Sequence, residues 1–351
     1  MNLRLTFIGT TLEFRVDPAA EAAFEPVRRF FRHLVTPVTS GDDATADYRI
    51  TVLPRDSAPS SPGGDPVVIR RSTAPEFTFD ALLSRHGDRL VYRNDDTVLD
   101  VPADATHDRD MSVAIRPASA IQVIDFVRDL IIRTEETAGT VVLHASAVRR
   151  DGEVYAVAGP KGAGKTTTLL SVLKNNNWQY FSGDKLFCRP DGEGGITVRA
   201  WRDYPYVGVG TLRANPDLAR RVREGGRHDL ADLADGHKVL LDPDTFEQWI
   251  GAEFDPAPHH LAGVLLPRVV PGEPLRVTPL SGPGERWSVL NTVVDRSVDT
   301  TFFGWQHYLV PDYREFYATL SGLRPLLPGL VMLRLTGTLD VDLDSVLKAA
   351  G

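Results

Sequence analysis

The chain has 351 residues, of which 42% are hydrophobic and 25% are charged, and its formal net charge is −8. This composition is typical of a globular protein, and the negative charge does not favour a nucleic-acid surface. Cys188 is the only cysteine, which excludes an internal disulfide and a cysteine metal cluster. No apolar run approaches about 20 residues, and the first residues lack a signal-peptide layout, so we expect a cytoplasmic protein without a membrane span.

The first 115 residues predict a smaller α+β region. Alternating apolar and polar residues over 2–16 predict two strands joined by a turn near Gly9. Apolar residues at helical spacing predict a helix over 19–35. Further strands are predicted at 48–53, 67–69, 90–92 and 98–101, with a hairpin turn at 93–97.

A longer amphipathic helix is predicted over 118–138, where Ile121, Ile124 and Val127 share one face and Gly139 ends the pattern. We draw the domain boundary just before this helix, which gives an N-terminal region of 1–115 and a second domain of 116–351. Late in the second domain, an aromatic stretch over 302–308 is predicted to be core or interface, or else the floor of a site for a planar ligand.

The second domain contains a glycine-rich loop between a predicted strand over 154–158 and a predicted helix that fades near 175–177. The loop matches G-x-x-x-x-G-K-[ST], the pattern that cradles phosphates with backbone N–H groups and a helix N-terminus. Lys165 would contact the β- and γ-phosphates, and the Thr166 hydroxyl would bind Mg²⁺. The predicted nucleotide contacts are Gly159, Pro160, Lys161, Gly162, Ala163, Gly164, Lys165, Thr166 and Thr167.

The elements around the loop carry further candidate residues. A strand over 141–148 contains His144 and turns at 149–152 into the strand that leads to the loop. We therefore expect a β-hairpin before the loop, in place of the βαβ unit that is usual for phosphate loops. A short aromatic strand after the helix delivers Asp184. A strand over 263–268 ends in Arg268, a candidate second clamp on the phosphates, and the run 239–242 ends in Asp242.

Three segments together give the chain a family resemblance: His144-Ala145-Ser146-Ala147-Val148, the loop 159–166, and Ser182-Gly183-Asp184-Lys185. This pattern resembles the HPr kinase/phosphorylase family, which shares its fold with phosphoenolpyruvate carboxykinase. The resemblance covers about 140–190 well, and extends more weakly to Leu266-Pro267-Arg268 and to 339–343. It implies an α/β (α+β) fold with a mixed-sheet P-loop kinase domain beside the smaller N-terminal region.

The resemblance also implies roles for individual residues. Lys165 would neutralise the phosphates and Thr166 would bind Mg²⁺. Asp184 would bind Mg²⁺ or lie near the acceptor, and His144 would lie beside the loop. The family's first acid of an Asp pair, its candidate base, is replaced here by Gly183. The base is therefore Asp184 alone, or else His144 or Asp203.

We expect an ATP-dependent kinase that uses Mg²⁺ and phosphorylates a hydroxyl group of a small molecule, such as a sugar or a nucleoside intermediate. The N-terminal region would shape the acceptor site, and a homo-oligomer is left open. A serine on a peptide or protein is the alternative acceptor. A P-loop ATPase switch, with Asp242 holding Mg²⁺, and a non-catalytic nucleotide-binding module are the alternatives of another class.

Overall fold

A computed structural model of the chain describes residues 1–38, 45–58, 63–70, 78–104, 109–175, 178–224, 233–270, 272–296, 312–337 and 341–350. The aromatic stretch 302–308 lies outside these residues. The chain divides into two compact units, Met1–Ala138 with Arg296–Glu315, and Gly139–Asp295 with Phe316–Gly351. Within the described ranges, no helix combines the length and the apolar character that crossing a membrane requires.

The structure is a mixture of helices and strands, which confirms the predicted mixed α/β class. The strands are β1 (Asn2–Phe7), β2 (Thr10–Val16), β3 (Val35–Pro37), β4 (Tyr48–Pro54), β5 (Asp65–Arg70), β6 (Phe79–His86), β7 (Arg89–Arg93), β8 (Thr97–Pro102), β9 (Asp110–Ile115), β10 (Val141–Arg150), β11 (Glu153–Ala158), β12 (Gln179–Ser182), β13 (Lys185–Pro190), β14 (Ile196–Ala200), β15 (Tyr206–Gly208), β16 (Lys238–Leu240), β17 (His259–Val269), β18 (Arg276–Pro279), β19 (Val294–Asp295) and β20 (Val331–Gly337). The helices are α1 (Glu21–Phe30), α2 (Ala120–Thr137), α3 (Lys165–Asn175), α4 (Val209–Arg213), α5 (Pro216–Glu224), α6 (Pro243–Ile250), α7 (Pro283–Val293), α8 (Arg314–Leu323) and α9 (Leu343–Ala350).

The first unit is built on one sheet in the order β3-β1-β2-β4-β9-β8-β7-β6-β5. The predicted hairpin turn between β7 and β8 is confirmed, and the Asn94 side chain accepts hydrogen bonds there from the N–H groups of Asp96 (3.0 Å) and Thr97 (2.8 Å). Sequence reasoning missed β6 and β9. The sequence of β6, Phe79 to His86, contains no β-branched residue, which removes the strongest local signal for a strand.

Helix α2 is more buried than its predicted apolar face indicates, because Asp125, Arg128, Asp129 and Arg133 are buried as well. Each charge has a partner in the first unit: Asp125 pairs with Arg70 and Arg128, and Arg133 donates to Asp129 at 3.1 Å. Burial raises the pKa of Asp129, an effect that Arg133 opposes. The whole helix belongs to the first unit, whereas the sequence analysis assigns residues 116–138 to the second domain.

The second unit is built on a mixed sheet in the order β11-β10-β13-β14-β17-β20-β18. The predicted hairpin is confirmed, since β10 and β11 pair antiparallel and turn at Asp151 and Gly152, with φ angles of 53° and 84°. Strand β11 also pairs parallel with β17, and β17 pairs parallel with β20. The path β11-β10-β13-β14-β17 therefore closes on itself.

Helix α3 follows β11 and packs its apolar side on the sheet. Leu169 and Leu170 of α3 share one buried cluster with Val157 of β11, Leu265 of β17 and Leu333 of β20. Burying these side chains fixes the start of α3 at the ends of β11 and β17. The glycine-rich loop between β11 and α3 is thereby held between two parallel strands and a helix.

Candidate active site

The loop between β11 and α3 approaches the end of β17 closely. The Val269 N–H donates to the Ala163 carbonyl at 3.2 Å, and the Ala163 N–H donates to the Pro160 carbonyl at 3.2 Å. Gly164 has a φ of 98°, and a β-carbon at this position would collide with the Val269 side chain. Only glycine combines this left-handed backbone with so small a separation.

Lys165 is the first residue of α3, and its side chain folds back over the loop. Its Nζ donates to the Gly159 carbonyl at 2.8 Å. Desolvation lowers the pKa of Lys165, the Asp184 charge opposes that shift, and the Lys238 charge adds to it. The loop thus holds a partly desolvated ammonium group that interacts with the charge of a carboxylate from another segment of the chain.

The other predicted loop residues differ in exposure. Lys161 is exposed, whereas Thr166 and Thr167 in the first turn of α3 are partly buried. The Thr167 hydroxyl lies 3.3 Å from the Thr211 hydroxyl of α4. The first N–H groups of any helix lack intrahelical partners, so the first turn of α3 offers donors to an anion.

Asp184 lies in the turn between β12 and β13, and this turn is bound to β10. The Ala145 N–H donates to the Asp184 carbonyl at 2.9 Å, and the Ser146 hydroxyl donates to the Gly183 carbonyl at 2.6 Å. His144 Nδ1 lies 3.2 Å from Asp184 Oδ1. The structure therefore brings together His144 and Asp184, two of the three predicted catalytic residues, and both are partly exposed.

Lys185 extends the charged group around Asp184. Its Nζ lies 3.6 Å from Asp184 Oδ2 and forms an ion pair with Asp295 of β19. Its side chain is only 12% exposed, so it is not a solvated surface lysine. Sequence reasoning missed Asp295, because the two-residue strand β19 is too short to leave a recognisable pattern.

Gly183 occupies the position at which the resembled family has an acid, and the structure gives a steric reason for glycine. A β-carbon at 183 would lie 2.8 Å from the Tyr180 hydroxyl oxygen. Tyr180 is buried, and its pKa is raised by desolvation first and then by the charges of Asp203, Glu247 and Asp184, with Arg202 opposing. The tyrosine hydroxyl thus occupies the space that a side chain at 183 would need.

Replacing Gly183 by alanine should lower the free energy of unfolding by about 1–3 kcal/mol, because Tyr180 must move or the turn must shift. Urea unfolding of four proteins, with Gly183→Ala and Tyr180→Phe separate and combined, measures the effect and its dependence on the hydroxyl. Gly236→Ala is the matched control, since Gly236 also lies in a turn and a β-carbon there meets nothing within 4 Å. Equal stability of the Gly183 and Gly236 variants would contradict this explanation.

Asp203 is the third residue considered as the base. It follows Arg202, which is buried and binds Glu247 through two hydrogen bonds of 2.8 and 2.9 Å and also contacts Asp244. The Asp203 charge acts on Tyr180, as the Asp184 charge does. The two buried hydrogen bonds between Arg202 and Glu247 therefore fix the backbone beside Asp203. Of the three candidate bases, His144 and Asp184 contact each other directly.

Arg268 lies on β17 one residue before Val269, so its backbone is adjacent to the loop. Side chains alternate along a strand, and the side chain of Val269 is the one that approaches Gly164. Arg268 is exposed on the opposite face of β17. The structure therefore brings Arg268 close to the loop in the chain without directing its side chain towards Gly164.

Asp242, the Mg²⁺ ligand of the switch alternative, has another partner. It is the N-cap of α6, and its carboxylate accepts the Thr245 N–H at 3.0 Å. An aspartate at this position is a common helix cap, which accounts for the residue without a metal.

Lys238 is a residue near the loop that sequence reasoning missed. It begins the three-residue strand β16, and its charge acts on Lys165. No motif marks it, and only the fold brings this remote segment to the loop.

Among the residues that the structure describes, no three His, Cys, Asp or Glu side chains cluster closely enough to hold a metal ion by themselves. Mg²⁺ at nucleotide sites is commonly bound by one or two protein oxygens together with phosphates and water. Such a site does not need a full set of protein ligands, and the oxygens of Thr166 and Asp184 would be enough for it. Comparison with models of protein families gave no match, and comparison with curated protein sequences gave none either.

Proposed function

We propose that this protein is an ATP-dependent kinase of the HPr kinase type, which transfers the γ-phosphate of ATP to a hydroxyl group of a small molecule. One observation carries the proposal: Asp184 contacts His144 at 3.2 Å, and its charge acts on Lys165 of the glycine-rich loop. A carboxylate thus contacts an imidazole directly and acts through its charge on the lysine of the glycine-rich loop. These are the parts that phosphoryl transfer to an alcohol requires.

The loop residues fit a nucleoside triphosphate with Mg²⁺. The structure leaves no room for a β-carbon at Gly164, so the backbone there can curve tightly. A loop that surrounds a phosphate with N–H groups needs such a tight curve. Lys165 would bind the β- and γ-phosphates, and Thr166 and Asp184 would hold the metal. Bound Mg²⁺ supplies positive charge that offsets the phosphate oxygens.

The remaining chemistry belongs to the side chains. The Asp184 carboxylate beside His144 Nδ1 favours the tautomer with its proton on Nδ1, which leaves Nε2 able to accept the proton of the acceptor hydroxyl. The acceptor oxygen bonds to the γ-phosphorus as the bridging bond to ADP breaks. Asp184 would then stabilise the imidazolium that forms, and Lys165 would keep its charge on the phosphates.

The kinase proposal is supported over a P-loop switch by the two aspartates. The Asp242 carboxylate caps α6 through Thr245, whereas Asp184 is partly exposed beside His144. The cap engages Oδ1 of Asp242, which leaves a single carboxylate oxygen outside the cap for a metal. Asp184 is therefore the better metal ligand of the two.

The experiment is an assay of transfer products. The full chain is incubated with Mg²⁺-ATP and with sets of sugars, nucleosides and serine-containing peptides, and mass spectrometry follows the products. We expect ADP together with a small molecule that has gained one phosphoryl group. Phosphorylation of peptides alone would replace the small-molecule acceptor with a serine, and release of inorganic phosphate without any phosphorylated acceptor would contradict the kinase and favour an ATPase.

A further inference from the structure

Lys238 is anchored next to an aromatic ring on a short two-stranded ladder. Strands β15 and β16 pair antiparallel, with Gly208 opposite Lys238. Lys238 Nζ lies 5.0 Å from the centroid of the Tyr206 ring, two residues along the same strand from Gly208. This is within the range of a cation–π interaction, which restrains the direction of a long and otherwise flexible side chain.

The same ladder is tied to the first turn of the loop helix. The Val209 N–H, at the start of α4, donates to the carbonyl of His237, the residue before Lys238, at 2.8 Å. Two residues further along α4, the Thr211 hydroxyl lies 3.3 Å from that of Thr167 in α3. These contacts place the ladder that carries Lys238 beside the first turn of α3, although the ladder is far from that turn in sequence.

Like charges crowd this position. The Lys238 charge acts on Lys165, and the Lys161 charge acts on Lys238. The carboxylate of Asp184 acts on both Lys165 and Lys238. Desolvation is the main cause that lowers the pKa of Lys238, and the Lys161 charge lowers this pKa further. The Asp184 charge acts in the opposite direction and raises it. Lys161, Lys165, Lys185 and Lys238 outnumber the carboxylates Asp184 and Asp295 in this group, and the excess of positive charge would be stabilised by an anion with several charges.

We infer that Lys238 is a second phosphate-binding lysine of this site and contacts the γ-phosphate of the bound nucleotide. The inference rests on the proposed function, because it assumes that the loop binds a nucleoside triphosphate. The γ end is chosen because the charge of Asp184 acts on Lys238, and Asp184 is the residue proposed to hold the metal at the reacting phosphate. A lysine there would bind a triphosphate more strongly than a diphosphate.

The test compares two nucleotides in four proteins. Isothermal titration calorimetry measures the Kd of Mg²⁺ with adenylyl imidodiphosphate, a non-hydrolysable triphosphate, and of Mg²⁺-ADP. The proteins are wild type, Lys238→Met, Lys238→Arg and the control Lys174→Met, which removes an exposed lysine from the last turn of α3. Thermal unfolding and circular dichroism check that each variant is folded.

We expect Lys238→Met to raise the Kd of the triphosphate about tenfold and the Kd of Mg²⁺-ADP less than about twofold. The difference corresponds to the loss of one charged contact to one phosphate. Lys238→Arg should restore most of the affinity, and Lys174→Met should change neither Kd. Equal losses for both nucleotides, or no loss for either, would overturn the inference and leave the proposed function intact. Failure of the wild type to bind either nucleotide would overturn the proposed function and the inference with it.

Discussion

Replacing Asp184 by asparagine should lower the turnover number for phosphoryl transfer about 10³-fold, equivalent to about 4 kcal/mol of transition-state stabilisation. Asparagine keeps the shape of the side chain but loses the charge that lies 3.2 Å from His144 and acts on Lys165. It would weaken the metal site and leave the imidazolium of His144 without its carboxylate. Steady-state kinetics with the acceptor identified by mass spectrometry give the measurement.

Asp242→Asn is the matched control for this prediction. It makes the same chemical change at a residue that caps α6, and asparagine caps helices about as well as aspartate does. We therefore expect turnover within about twofold of wild type. A large loss from Asp242→Asn with full activity in Asp184→Asn would contradict the kinase assignment and favour the P-loop switch.

Replacing Gly164 by alanine should lower the free energy of unfolding by about 2–5 kcal/mol and abolish measurable binding of Mg²⁺-ATP. A residue with a side chain pays about 1–2 kcal/mol for the left-handed backbone, and the collision with Val269 adds an overpacking cost of about 1–3 kcal/mol. The loop must move away from β17 to relieve the contact. Urea unfolding and calorimetric titration with Mg²⁺-ATP measure the two effects.

Gly162→Ala separates the two causes. Gly162 also has a positive φ, of 85°, but a β-carbon there meets nothing within 4 Å. It should cost only the backbone strain of about 1–2 kcal/mol. Adding Val269→Ala to Gly164→Ala should recover part of the stability, and a double variant no more stable than the sum of the two single changes would exclude the contact with Val269 as the cause.

The hairpin and the loop could be predicted from the sequence because their signals are local. A glycine at 152 marks the turn between β10 and β11, and the spacing from Gly159 to Thr166 is itself the motif. The fold class follows from the same alternation of strand and helix patterns. The exact family fold and the transfer activity stay predictions that rest on the resemblance and on the geometry of the site.

Contacts between distant segments could not be predicted in the same way. Lys238 and Asp295 come from strands of three and two residues, and such short runs are indistinguishable from loops in a sequence. Helix α2 packs against α1 and β2 of the first unit and forms a buried ion pair with Arg70, and a helical pattern does not show such partners. The reason for glycine at 183 is the nearby Tyr180 hydroxyl, and the sequence does not show that this hydroxyl lies beside the turn.

The hydrogen bonds between β10 and the turn at Gly183 and Asp184 have a mechanical consequence. Strand β10 pairs with β11, which leads into the loop, and it also binds the turn through Ala145 and Ser146. Asp184 and the glycine-rich loop are therefore connected through one hydrogen-bonded ladder, and they cannot separate unless this ladder breaks. Any closing motion around a bound substrate must come from other segments. The β15–β16 ladder that carries Lys238 is a separate sheet, which meets the loop helix through the buried cluster of Val207, Val239 and Leu169 and through the Thr167–Thr211 hydroxyl contact of α4.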